Sequence, residues 1–257
     1  MVPRFILTPF FLDQPLSGLD SLPDPGWIVN QPALPGGKPQ VRMIELYKPL
    51  ARLVTTVLDS GELPVSIAGD CCTSIAVLSG LQGAGVDPTL IWFDAHGDFN
   101  TWETTPSGFL GGMPLAMLVG KGEQTIMKAV GTRVLPEERV LISDARDLDP
   151  GEREALAASK VVHLGKVQEF LEYKLPPGPF WIHFDTDVID SSEAPAMNYP
   201  TPGGPGVSQL REVFTHLAGS GQITAVSISS WNPDLDQDGL SQKVSMGLLQ
   251  ELIQFGS

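Results

Sequence analysis

The sequence predicts an α/β protein of three layers, α/β/α, with helices on both faces of a mostly parallel sheet. Two observations carry this. Short apolar runs rich in β-branched and aromatic residues recur along the 257 residues with amphipathic stretches between them, the pattern of strands joined by crossover helices. The composition, 42% hydrophobic and 18% charged, suits a globular chain long enough to bury a sizeable core, and 27 Gly with 23 Pro stay below the share at which disorder is the default.

The strands are expected near 4–8, 64–68, 89–94, 138–143, 160–164, 179–185 and 223–229. Apolar positions at helical spacing place helices over 41–58, 73–81, 151–158, 207–217 and 240–255. The Pro/Gly-rich stretches 22–38 and 200–206 read as surface loops, because strands of the same style continue on both sides. One domain over 1–257 follows, with no internal repeat.

Thirty acidic against sixteen basic residues give a net charge of −14, which repels a phosphate backbone or an anionic bilayer. Neither nucleic acid nor membrane is an expected partner, and no apolar run is long enough to span a bilayer. The first residues read as a strand rather than a leader. Cys71 and Cys72 are adjacent and cannot staple distant segments together, which fits a reducing cytoplasm.

Chemistry concentrates after three of the strands. Asp94, His96 and Asp98 alternate behind an apolar run, so in extended backbone they share a face and offer a donor set suited to manganese or a similar divalent ion. Asp185 and Asp187 repeat the spacing behind 180–184. Four carboxylates at neighbouring strand ends repel one another strongly unless cations lie among them; the other reading is two loops splayed into solvent. A third strand, 64–68, ends in Gly69-Asp70-Cys71-Cys72 before a helix.

The ordered motifs Ala68-Gly69-Asp70-Cys71, Asp94-Ala95-His96-Gly97-Asp98-Phe99-Asn100-Thr101, Gly111-Gly112-Met113-Pro114 and Asp185-Thr186-Asp187 resemble those of the ureohydrolases, the arginase and agmatinase family. The resemblance implies an arginase-like fold, a site for two manganese ions and often a trimer or hexamer. It makes Asp94 and Asp185 bridging ligands, Asp98 a ligand of the first ion and a proton shuttle, and His96 and Asp187 ligands of the second. The remaining first-ion ligand, histidine in most of the family, falls on Cys71. A thiolate is a soft donor, so zinc or a single-metal site becomes an option; a small buried apolar residue is the other reading of Cys71.

The implied reaction is hydrolysis of a guanidine or amidine C–N bond, on a small amino acid derivative resembling arginine or N-hydroxyarginine, by a metal-borne hydroxide. Asn100, Thr105 and Ser107 match positions that hold an α-carboxylate, and Asp149 and Glu152 match those around an α-amino group. Ordinary turn and helix-capping chemistry explains the same residues equally well. Two family positions depart: the proton-relaying histidine of arginases falls on Gly111, and the acid that clamps the guanidinium falls on Ser230. Cys71 and Gly111 together resemble the branch that cleaves hydroxylated arginine. A protein of this fold with weakened or lost catalysis, acting in binding or regulation, is the alternative, and a zinc amide hydrolase a third. His163, His183 and His216 are expected to be structural, with His183 a hydrogen-bonding neighbour of the site at most. Trp102 and Trp231 are expected either to pack or to line the pocket.

Overall fold

The computed structural model describes residues 1–229 and 231–254. In chain order the elements are β1 (Pro3–Thr8), β2 (Phe10–Phe11), β3 (Gln14–Pro15), β4 (Ile28–Val29), α1 (Pro39–Asp59), β5 (Leu63–Ala68), α2 (Ser74–Gly83), β6 (Thr89–His96), α3 (Pro114–Leu118), α4 (Thr125–Val130), β7 (Val140–Asp147), α5 (Pro150–Ala157), β8 (Val162–His163), β9 (Phe180–Asp185), α6 (Val207–Gly219), β10 (Ile223–Ser229) and α7 (Leu240–Ile253). Eight strands form one sheet in the order β4-β1-β5-β10-β9-β6-β7-β8, and every pairing in it is parallel. The seven strands and five helices read from the sequence are all present, with shifted ends. The stretch 22–38, expected to be loop throughout, carries the two-residue edge strand β4. The expected end of the last helix, Phe255, lies outside the described residues.

The apolar runs are buried on both faces because helices cover both. One cluster joins Leu90, Trp92, Val140 and Ile142 of the sheet to Met43, Leu46, Leu50 and Val54 of α1 and to Ile75 and Leu78 of α2. The other joins Ile91, Phe93, Ile182 and Phe184 to Leu210, Phe214 and Leu217 of α6 and to Leu248 and Leu252 of α7. Successive residues of β6 thus enter opposite cores, as the two-residue period of a strand requires. No helix among the described residues is long and apolar enough to cross a membrane.

Topology fixes where chemistry can occur. The chain leaves β5 through α2 and enters β6, passing over the places that β9 and β10 later fill. The strand ends at such a reversal diverge and leave a crevice, where open parallel sheets bind ligands. The register levels those ends: Ala68 pairs with Ser229, Ser229 with Asp185, and Phe184 with Phe93, the residue before Asp94.

Close approach of α1 and α2 depends on Gly80. A Cβ there would lie 2.5 Å from Cβ of Val54 and 2.6 Å from the Ala51 carbonyl oxygen. Gly80→Ala is expected to destabilise the protein by about 1–3 kcal/mol through overpacking. A fall in the urea midpoint at unchanged slope is the measurement that checks it.

Candidate active site

Three strand ends deliver the polar residues to one cavity. After β5, Asp70 caps the following turn by accepting the Cys72 backbone N–H at 2.8 Å, and it also accepts the Leu12 N–H at 2.7 Å, which holds Cys71 facing the crevice. β6 contributes Asp94 and His96. Asp98 reaches the same place by a different route from the simple alternation expected, because β6 has ended and Asp98 turns the chain in the left-handed region at φ 49°. The residue before it must be glycine: a Cβ on Gly97 would lie 2.5 Å from Leu148 and 2.7 Å from Glu152. β9 delivers Asp185 and, one turn later, Asp187.

The cavity has a volume of about 470 Å³. Cys71, Asp94, His96, Asp98, Asn100, Thr105, Ser107, Asp149, Glu152, Asp185 and Asp187 all line it. Of the expected site residues only Ser230 is not placed, since it lies outside the described residues.

At its floor, donor atoms of Asp94, His96 and Asp187 lie within 4.8 Å of one another, as do those of Cys71, Asp94 and Asp98. His96 Nδ1 is 3.1 Å from Asp187 Oδ2 and 3.4 Å from Asp94 Oδ1. Trp92 Nε1 donates to Asp94 Oδ2 at 3.0 Å, while Asp187 Oδ1 accepts the Ala95 N–H at 3.2 Å. Among the described residues, Oδ2 of Asp98 is buried with no hydrogen-bond partner. An orphaned carboxylate oxygen among such donors fits a cation, as does the mixed set of carboxylates, imidazole and sulfur.

The electrostatics agree. Burial, followed by the charge of Asp187, pushes Asp94 up to about 6, and burial with neighbouring carboxylates drives Asp98 and Asp185 well above the usual range. Burial alone would lower His96, but its bonds to Asp187 and Asp94 overcome that and push it up to about 12. The imidazolium in turn overcomes the burial of Asp187 and holds that carboxyl low.

At the mouth, Asn100 Nδ2 donates to Asp149 Oδ2 at 2.9 Å, and Thr104 Oγ1 donates to the Asn100 side-chain oxygen at 3.0 Å. Both oxygens of Glu152 accept backbone N–H groups, of Phe99 at 2.7 Å and of Asp149 at 3.2 Å. Glu152 therefore ties the Asp98 turn to the start of α5. Thr105 and Ser107 hydroxyls lie 3.3 Å apart, and each accepts a backbone N–H, from Gly108 and Phe109 respectively.

Several contributors escaped sequence reasoning. Phe11, Phe109 and Tyr199 form an aromatic wall, with Phe109 5.4 Å from Tyr199 between ring centres. The Phe109 ring fills the space a Cβ on Gly111 would need. Arg146 clamps the Asp187 segment by donating to the carbonyls of Asp187, Val188 and Thr201 and to Asp144. His183, 1% exposed, is a hydrogen-bonding neighbour of the site as expected, with its Nε2 3.3 Å from Cys71 Sγ. Trp102 is exposed with its N–H on Glu123, Trp231 packs beneath the sheet, and neither lines the cavity.

A family model described as the Arginase family matches residues 31–254. The arginase of Bacillus subtilis is 31% identical over 217 residues, covering 79% of this chain and 73% of that protein. The N(omega)-hydroxy-L-arginine amidinohydrolase of Streptomyces lavendulae is 32% identical over 212 residues, covering 81% and 74%. A crystal structure of the B. subtilis arginase superposes with a TM-score of 0.84 at 27% identity, covering 99% of each chain.

The shifted carboxyls set a pH dependence. Asp94, raised to about 6, and Glu152, raised to about 7, keep protons in the folded state that they lose near pH 4 when unfolded, and Asp98 and Asp185 act in the same sense. His183, lowered to about 3 by burial, opposes them with a single proton. With chelator present, thermal stability is expected to fall as pH rises from about 4 to 7. Manganese or zinc is expected to reverse the loss, by about 2.7 kcal/mol at a hundred times Kd, in melts run across that window.

Proposed function

The chain belongs to the arginase family, and on that premise we propose that it is a metal-dependent hydrolase cleaving a C–N bond of a guanidine or amidine group on a small amino acid derivative. One observation carries the reading: donor atoms of Cys71, Asp94, His96, Asp98 and Asp187 gather in overlapping sets at a cavity floor, with Oδ2 of Asp98 buried and unpaired among the described residues. Asp94 and Asp185 are read as shared ligands of two ions, Cys71 and Asp98 as ligands of the first, and His96 and Asp187 as ligands of the second. When bound, divalent cations supply Lewis-acid activation and a water that ionises near neutral pH.

The residues of the chain do the rest. Asp98 accepts a proton as the water oxygen bonds to the central carbon, and the C=N electron pair moves onto nitrogen. That pair then returns as the bond to the alkyl nitrogen breaks, and Asp98 delivers its proton to the departing amine. The products are an amine and a urea from a guanidine, a hydroxyurea if the guanidine is hydroxylated, and an amide from an amidine. Asn100, Thr105 and Ser107 orient an α-carboxylate at the mouth, Asp149 binds the α-amino group, and Glu152 holds Asp149 in place. Ser230 is read as a further substrate contact.

Within this class an N-hydroxyguanidine suits the pocket better than arginine. Position 111 has no side chain to relay a proton, and the Phe109 ring occupies that space. The departing alkyl amine is the same for both, but an N-hydroxyguanidine is less basic than a guanidine, so its uncharged form costs less to bury in the pocket. Asp94→Ala and Asp185→Ala are expected to abolish both bound metal and turnover, read by elemental analysis and by urea, hydroxyurea and ammonia assays over arginine, N-hydroxyarginine, agmatine and formiminoglutamate. Undiminished metal in either variant overturns the ligand assignment. Tight metal with no turnover on that panel favours the rival reading, a binding or regulatory protein. Asp149→Asn is expected to raise KM about tenfold for substrates with a free α-amino group, with kcat within a few-fold.

A further inference from the structure

The corner around Cys71 contains an imidazole that arrives from another strand. His183 lies in β9, two residues before Asp185, and is buried, as is Cys71, which follows β5. The atoms Cys71 Sγ, His183 Nε2 and an Asp185 carboxylate oxygen fall within 4.8 Å of one another. Cys71 Sγ is 2.8 Å from Asp185 Oδ2 and 3.3 Å from His183 Nε2. A carboxylate oxygen of Asp98 also groups with Cys71.

The ring of His183 is held as a ligand has to be held. Trp92 stacks on it at 3.7 Å between centres, 27° from parallel. Its Nδ1 lies 2.8 Å from the Ser227 hydroxyl, whose oxygen also accepts the Trp181 N–H at 2.8 Å. With Nδ1–H donating to Ser227, the lone pair of Nε2 points to the Cys71 corner. This is the arrangement by which metal-binding histidines are oriented through their other nitrogen.

We propose that His183 Nε2 is a ligand of the first cation, restoring from β9 the imidazole lost where the family histidine is replaced by Cys71, so that Cys71, His183 and Asp185 form a site that prefers zinc to manganese. The inference rests on the metal-hydrolase reading above and deepens it. Sulfur and nitrogen donors favour zinc, whereas the second corner, Asp94, His96 and Asp187, keeps a harder, more oxygen-rich set. Binding replaces the proton shared between Cys71 and Asp185 and widens that contact as the metal enters.

X-ray absorption on the zinc-loaded His96→Ala chain tests this without touching His183. Only four histidines exist, and of the other two His163 bonds the Asp144 carbonyl while His216 lies in α6, both away from the cavity. Imidazole scattering together with sulfur at about 2.3 Å is the expected result. Zinc held without imidazole or without sulfur, or no zinc held, overturns the assignment. In the whole chain, His183→Ala is expected to weaken the tighter zinc site more than about 100-fold in competition titrations while manganese still binds the second corner; unchanged zinc affinity overturns it. If that variant does not fold, the absorption experiment decides alone. Zinc on sulfur and imidazole in a wild type that cleaves no guanidine sinks the proposed function and leaves this ligand standing.

Discussion

Like charges forced together where parallel strands end are the constraint on which the rest of the structure depends. Asp94 and Asp185 are brought side by side by register, and Asp98 and Asp187 follow them into the same crevice. In water such a set would separate; here the sheet beneath and helices on both faces forbid it. The protein answers with a proton on His96, with Trp92 and backbone N–H donors, and with protons retained on buried carboxyls. Each of these substitutes for positive charge that a divalent cation supplies more fully. The supports follow from this: Gly97 allows the Asp98 turn to press against Glu152, and Arg146 holds the Asp187 segment by its carbonyls.

Much of this was legible because the physics is local. A strand buried on both faces writes itself as a continuous apolar run, so β6 and β9 could be read from Leu90 to Phe93 and from Phe180 to Phe184. Acids spaced by two behind such runs share a side, which is why Asp94 and His96 were found together. Asp98 was found for an incomplete reason, since its direction comes from a left-handed turn and not from the strand. The edge strand β4 was not legible: two residues in a Pro-rich stretch carry no period, and only pairing with β1 makes them a strand. The short helices α3 and α4 failed similarly, being too brief to display a face.

What could not be read is what depends on register between distant segments. His183 and Cys71 stand 112 residues apart, and nothing in either local sequence announces the other. Their meeting needs β10 to lie between β5 and β9 with Ser227 level with His183. A lone histidine in a strand is most often structural, and His183 is buried and hydrogen-bonded as that expectation has it; which groups it bonds is wholly tertiary. The aromatic wall escaped for the same reason, because Phe11, in β2, and Tyr199, in a loop, lie far apart in the chain.

Phe109 and Gly111 illustrate how such placement shapes the paths open to mutation. The ring at one position occupies the volume denied to the other, so the two residues behave as a single unit. A histidine introduced at 111 has to swing the ring away from Tyr199 and break the wall at the mouth, whereas a smaller residue at 109 first clears the way. Double-mutant coupling between them follows, and the order of replacement matters. Replacement at the two positions is therefore directional: with an aromatic side chain settled in that volume, a route to a larger residue at 111 runs through an intermediate with a hole.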